Sequence, residues 1–272
     1  MEIKNNFSIN HKAGMTKKIQ TEINSCDITR ISHEFSRNKI NTDFKNNKII
    51  AWCSFKSLEI IIELNKRFQL NLPLPKAIFV ENFDKLRLQI DPNAIGLCNV
   101  APTLLFKDSN LIIPEKTIVF NSDDSYWNNL DDESNRAKAN GISPTDFFLS
   151  TFLHEFSHVI HINNLLKIYD GKKILELLYN IPDNMENFKD KYWYILGKNC
   201  CTYAGSNPME AIACDLEKRI SNCIDKNTLH PINNFIENSP YRKLSIKEKI
   251  FRPFTETKYD KAIRNFWNGN FK

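Results

Sequence analysis

Glycine is scarce: seven residues in 272, never clustered. No GxGxxG or Walker-type loop is therefore present, and the usual dinucleotide and P-loop chemistries lack their phosphate cradle. No apolar run approaches the roughly 18 residues that a bilayer-spanning helix needs. The opening residues, MEIKNNFSINHKAGMTKK, have no apolar core segment behind their charges, which argues against export by the general secretory route. Seven cysteines are present (Cys26, Cys53, Cys98, Cys200, Cys201, Cys214, Cys223), an odd number without a CxxC pair. That excludes a cysteine zinc site of the usual spacing and fits reduced thiols in a reducing compartment. The vicinal Cys200-Cys201 pair is expected to be two small, mostly buried side chains.

What the chain does have is an ordinary globular composition, 42% hydrophobic and 25% charged, which excludes wholesale disorder. The net charge of +5 is unevenly placed. Residues 241–272 hold nine Lys/Arg against three Asp/Glu, a local +6, so residues 1–240 carry −1. Tyr241, Phe251, Phe254, Tyr259, Phe266, Trp267 and Phe271 interleave those basic residues. Such a segment could hold nucleic acid or an anionic membrane surface. The favoured reading is a helical segment that docks its aromatics on the core and leaves Lys/Arg in water, with no nucleic-acid partner.

Residues 1–45 are rich in Asn, Lys, Ser and Thr and read as a flexible polar leader. Residues 46–272 read as one domain. The spacing of Phe55, Leu58, Ile61, Ile62, Leu64 and Phe68 predicts a buried helix over 54–68. Strands are predicted at 77–80, 95–100, 103–106 and 117–120, where β-branched and apolar residues lie between turn signals. Residues 125–141 are polar and read as loop with some helix. Ser143-Pro144-Thr145-Asp146 resembles a capped helix start, and the helix is expected to run from Pro144 to about Tyr169. Helices are further expected over 172–178, 190–197 and 208–223, the last capped by Asn207. The resulting order is helix, small sheet, long helix and a mostly helical C-terminal half.

The chemistry lies in that long helix, which contains His154-Glu155-Phe156-Ser157-His158, an HExxH pattern. Residues i and i+4 stack on one helix face, so two imidazoles there can reach one tetrahedral Zn²⁺ at about 2.0–2.1 Å. Glu155 lies beside the first ligand, where a carboxylate can take the proton of a water activated by the metal. A third protein ligand is needed. His161 is on the same face but about 10.5 Å along the axis from His154, too far for a shared ion on a straight helix. Glu210, just inside the helix that follows Asn207-Pro208, is the better candidate, with Ala211 and Ala213 small enough to let two helices approach. A His₂Glu set would leave one position open for water. The alternatives are that Glu210 only caps its own helix, and that Asp215 is the ligand or an acceptor for a ligand imidazole.

The HEF-small-H motif with a downstream Glu210 resembles the gluzincin type of zincin zinc metallopeptidases. Tyr203, seven residues before Glu210, resembles the Tyr-to-Glu spacing of anthrax lethal-factor-type catalytic domains. The resemblance implies that the Tyr203 hydroxyl stabilises the oxyanion of the tetrahedral intermediate. It departs from thermolysin-like enzymes, since Met209 precedes Glu210 and Asp215 lies five residues after it. The implied fold is α+β and zincin-like. A small twisted mixed sheet lies over the HExxH helix, and a peptide substrate pairs with an edge strand, for which 117–121 is the candidate. The expected function is a zinc-dependent endopeptidase acting on a protein or peptide substrate as a monomer. Its expected location is the cytoplasm, or a host cell reached through a specialised secretion system, as for bacterial effector and virulence metalloproteases. The alternatives are an intracellular regulatory zincin that cleaves a repressor, and a non-catalytic zinc or nucleic-acid-binding protein.

Overall fold

The computed structural model describes residues 17–87, 94–122, 125–179, 185–232 and 256–271. It is an α+β arrangement. Helices α1 (Lys17–Ser25) and α2 (Ile28–Arg37) lead to strand β1 (Asn41–Asp43) and helix α3 (Lys48–Phe68). Strands β2 (Ala77–Glu81), β3 (Gly96–Cys98), β4 (Thr103–Leu104), β5 (Ile112–Ile113) and β6 (Thr117–Asn121) follow. Helices α4 (Leu130–Ala139), α5 (Ser150–Leu165), α6 (Gly171–Tyr179), α7 (Met185–Asn199) and α8 (Pro208–Asn222) come next. The hairpin of β7 (Ile224–Asp225) and β8 (His230–Pro231) and helix α9 (Lys258–Trp267) complete the described chain.

The main sheet has the order β1-β2-β6-β3. β1 and β6 both run parallel to β2, whereas β3 is antiparallel to β6. β6 is therefore an interior strand. The expectation that residues 117–121 form the edge is corrected: the edge on that side is β3. Thr117, Ile118, Val119 and Phe120 are all buried, as suits a strand covered on both faces.

The polar leader is likewise corrected from Lys17 onward. Ile19 and Ile23 on α1, and Ile31 and Phe35 on α2, are buried i, i+4 pairs that pack with α3, and Ile40 and Phe44 join the same core. The polar residues between them face water, which is why composition alone conceals two amphipathic helices. Residues 1–16 lie outside the described residues.

α3 starts at Lys48, six residues before the expected position. Its N-cap Asn47 accepts a hydrogen bond from the Ile50 amide at 2.9 Å. The active-helix candidate α5 begins at Ser150, not Pro144. Phe147, Phe148 and Leu149 are three consecutive residues at 1% exposure or less. A solvent-bordered helix cannot turn three successive side chains inward, so the segment before Ser150 follows an irregular path. From Ser150 onward, Phe152 packs against Phe120 of β6 and Trp127, with ring centroids 4.8 and 5.5 Å apart. This seats the helix directly beneath the sheet.

Below α5 lies α8, whose Ala211 and Ala213 are fully buried, as the close approach of two helices requires. α9 closes the other side. Its Tyr259, Ala262, Ile263 and Phe266 are buried, while Lys258 and Lys261 are exposed. For the described part of the basic segment, the docking reading holds; residues 241–255 lie outside the described residues. No helix among the described residues is long and apolar enough to cross a membrane.

His161 belongs to this packing and not to a metal site. Its Nε2 is 3.1 Å from the Phe266 carbonyl and its ring stacks on Trp267 at 5.6 Å and 17°. Burial lowers its pKa to about 3 from the ordinary 6.5, opposed by the bond to Phe266 and reinforced by nearby His158. The depressed value means that, as pH falls below about 6.5, the unfolded chain gains a proton at this residue that the folded chain refuses. The contribution is complete above pH 6.5 and is lost as pH falls towards 3, by up to about 1.4 kcal/mol per pH unit. Denaturant midpoints measured between pH 7 and 4 should fall more steeply for the wild type than for His161→Gln, which keeps a donor but does not titrate.

Candidate metal centre

Two helices build the centre. On α5 the i, i+4 spacing brings the His154 and His158 rings to a centroid separation of 4.8 Å. On α8, Asn207 caps the helix by accepting hydrogen bonds from the Met209 and Glu210 amides at 2.9 and 3.1 Å, with Pro208 in the first turn. Glu210 therefore has its backbone capped by a neighbour, and its side chain is free to reach across to α5. Its Oε2 is 2.9 Å from His154 Nε2 and 3.3 Å from His158 Nε2. A tetrahedral ion with bonds of about 2.0–2.1 Å separates its ligand atoms by roughly 3.3 Å, so these three donors fit one ion. Their ligand atoms all lie within 4.8 Å of one another.

Glu155 faces the edge strand. A Cβ placed on Gly96 of β3 would stand 2.9 Å from Glu155 Oε1, so only glycine lets the sheet edge approach so closely. Glu155 is 5% exposed, and its Oε2 has no hydrogen-bond partner among the described residues. Burial raises its pKa above the ordinary carboxylate value, against the pull of His158 and His154. A buried oxygen with no protein partner is costly unless something small and polar occupies the space beside it.

Glu217 is the residue that the sequence reasoning missed. It is 2% exposed. Its Oε2 is 3.1 Å from His154 Nδ1, and its Oε1 accepts from Ser150 Oγ at 2.5 Å and Ser143 Oγ at 3.2 Å. A proton on Nδ1 given to Glu217 would leave Nε2 as the atom for an ion held together with Glu210, the tautomer a metal ligand needs. Helical spacing carries the signal: seven residues from Glu210 is about two turns, the same face, whereas five residues is about 140° away. Asp215, the residue nominated from the sequence, accordingly points elsewhere. It accepts from Tyr259 Oη at 2.6 Å and from Arg219 Nε at 2.7 Å, and it ties α8 to α9.

Three carboxylates, Glu155 and Glu217 buried and Glu210 half-buried, thus surround two imidazoles. Among the described residues none of the three is paired with a lysine or arginine. Desolvation would by itself favour neutral His154, but the hydrogen bonds it donates to Glu210 and Glu217 outweigh it and raise its pKa well above the ordinary value. Glu210 moves the opposite way: burial opposes its charge, and His158 and His154 more than restore it, holding it well below the usual range. Both shifts have one cause, the close approach of the imidazoles and the carboxylates to one another.

Tyr203 sits in a short 3₁₀ turn (Tyr203–Gly205), its ring centroid 5.9 Å from that of His154. It is 45% exposed, at the border of a cavity of about 260 Å³ shared with His154 and Glu155. Ile95, Tyr126, Ile142 and Pro144 supply much of that cavity's apolar wall. The structure therefore brings His154, Glu155, His158, Tyr203 and Glu210 to one place, and puts His161 and Asp215 outside it. Comparison with protein-family models, curated proteins and solved structures finds no match to this chain.

Proposed function

We propose that the protein is a zinc-dependent endopeptidase, with His154, His158 and Glu210 as the metal ligands. The observation that carries this reading is the convergence of those donors beside a buried Glu155 oxygen with no partner among the described residues. A His₂Glu set suits zinc and leaves one coordination position open. When bound, zinc supplies Lewis acidity that acidifies water and polarises a carbonyl.

The chain's own residues do the rest. Glu155 accepts the proton of the attacking water and later delivers it to the departing amine. Its low exposure keeps competing water away, and Gly96 gives the sheet edge the close approach that fixes the carboxylate against β3. Tyr203, whose ring centroid is 5.9 Å from that of His154, donates its hydroxyl to the oxyanion as the carbonyl carbon becomes tetrahedral. Glu217 orients His154 through Nδ1, itself held by Ser150 and Ser143. β3, the free edge above the site, offers backbone groups to an extended peptide.

Elemental analysis of the purified protein tests this first. About one zinc per chain, together with chelator-sensitive hydrolysis of an unfolded protein such as casein or of a peptide library, is the expected result. A protein that takes up no zinc on reconstitution would sink the reading. Gly96→Ala provides a second check. The added methyl presses on Glu155, so kcat should fall by up to about 10²-fold while metal content is unchanged.

A further inference from the structure

The cavity beside the centre carries a cluster of hydroxyls that the catalytic reading does not use. Its wall is apolar over Ile95, Ala137, Ile142 and Pro144, and among the described residues no lysine or arginine lines it. Tyr126, Ser134 and Thr151 border the same space. Tyr126 Oη is 3.0 Å from Thr151 Oγ1 and 3.3 Å from Ser134 Oγ, and Ser134 Oγ donates to the Leu130 carbonyl at 2.8 Å. The Ser143 and Ser150 hydroxyls, also on the cavity, are committed to Glu217. Helical spacing sets the place of the cluster. Ser134 and Ala137 stand three residues apart on α4, and Thr151 stands four before Glu155 on α5, so each pair shares a face. One turn of α5, about 6 Å, separates Thr151 from Glu155.

We propose that this cavity selects a tyrosine side chain of the substrate beside the scissile bond, with Thr151 as the specificity-determining residue. At about 260 Å³ the space falls below the roughly 300–1,000 Å³ of pockets for drug-sized ligands and suits one large side chain. The apolar wall takes an aromatic ring. Glu155 and Glu217, which also border the cavity, repel an acidic tip, and a basic tip that paired with Glu155 would block the general base. Hydroxyl chemistry then decides between tyrosine and phenylalanine. Ser134 spends its proton on Leu130. Among the described residues Thr151 Oγ1 meets only Tyr126. A hydroxyl offers one donor and two acceptor sites, so Thr151 keeps at least one lone pair for a phenol O–H. Phenylalanine would set a ring edge against that oxygen and leave it unpaired.

The link to the scissile bond follows from shared walls. His154, Glu155 and Tyr203 border the cavity as well as the centre, so a side chain seated there brings its own backbone to the reacting groups. The position beside the scissile bond rests on the peptidase reading; the affinity for a phenol ring does not.

The test titrates full-length, zinc-loaded protein with p-cresol and with toluene, the side chains of tyrosine and phenylalanine, and follows binding by NMR. p-Cresol should bind about tenfold more tightly than toluene, the worth of one hydrogen bond inside an apolar wall. That margin should close in Thr151→Val, which keeps the shape without the hydroxyl, and persist in Thr151→Ser. Ala137→Leu fills the cavity from a half-buried position on α4 and should lose both ligands. A proteome-derived peptide library cleaved by the wild type should show tyrosine enriched at one position beside the cut. Thr151→Val should shift that preference to phenylalanine, and Ala137→Leu to small residues. No binding of either ligand, toluene bound as tightly as p-cresol, or p-cresol bound unchanged by Ala137→Leu would overturn the assignment of the cavity. Cleavage beside charged or small side chains by the wild type would overturn its role in substrate choice. A protein that cleaves no peptide would count against the peptidase reading, and the titrations would still decide whether the cavity selects a phenol.

Discussion

Glu155→Gln is expected to leave about one zinc per chain and to lower kcat by roughly 10²–10⁴-fold, the usual worth of a positioned general base. The substitution is nearly isosteric, so the contact with Gly96 and the packing of α5 should survive. Gln cannot accept a proton from water at neutral pH, so the loss falls on the chemical step and not on metal binding. Substrate affinity should change little, which makes this variant a trap for isolating natural substrates. The pH profile gives a second readout. Glu155 must be ionised to act, and burial raises its pKa, so wild-type kcat/KM should rise with pH as that proton leaves. Steady-state kinetics beside elemental analysis settle the matter. If Glu155→Gln loses zinc, the residue is a ligand; if it keeps both zinc and full kcat, Glu155 is not the general base.

The local part of this site was legible in the sequence, and the non-local part was not. HExxH specifies its own geometry, because i and i+4 are neighbours on any helix. Asn207-Pro208 likewise marks the start of α8, and with it the position of Glu210 one turn in. The failures have identifiable causes. Ser143 has the chemistry of an N-cap, but its hydroxyl is shared among the Thr145 backbone, Ser150 and Glu217, the last 74 residues away. Nothing near Ser143 reveals that partner. The interior position of β6 depends on β2 and β3 flanking it, and strand order is a long-range property. The leader misled because Asn, Lys and Ser outnumber its apolar residues, although the i, i+4 pairs Ile19/Ile23 and Ile31/Phe35 carry the helical signal. Gly96 was a lone glycine in a short strand, and its reason is Glu155, on a different element.

Glu210→Ala and Glu217→Ala should separate the two shells of the centre by the size of their effects on zinc. Removing Glu210 deletes one of three protein ligands and leaves a histidine pair four residues apart on one helix. Zinc should fall from about one per chain to near zero after dialysis, and hydrolysis should fall with it. Removing Glu217 leaves all three ligands in place. Its loss frees His154 to rotate and to change tautomer, and strands the Ser150 hydroxyl that it accepted from. The expected cost is about 10–100-fold in zinc affinity, the usual effect of losing a carboxylate that orients a ligand imidazole. Competition with a chelator of known affinity measures it. Asp215→Asn supplies the contrast: it weakens the bond to Tyr259 that holds α9 and the bond to Arg219 within α8, so it should lower thermal stability and leave zinc affinity alone. If Asp215→Asn released the metal and Glu217→Ala did not, the orientation of α8 would have to be turned by more than a third of a revolution, and the whole His154–Glu210–Glu217 line would fail with it.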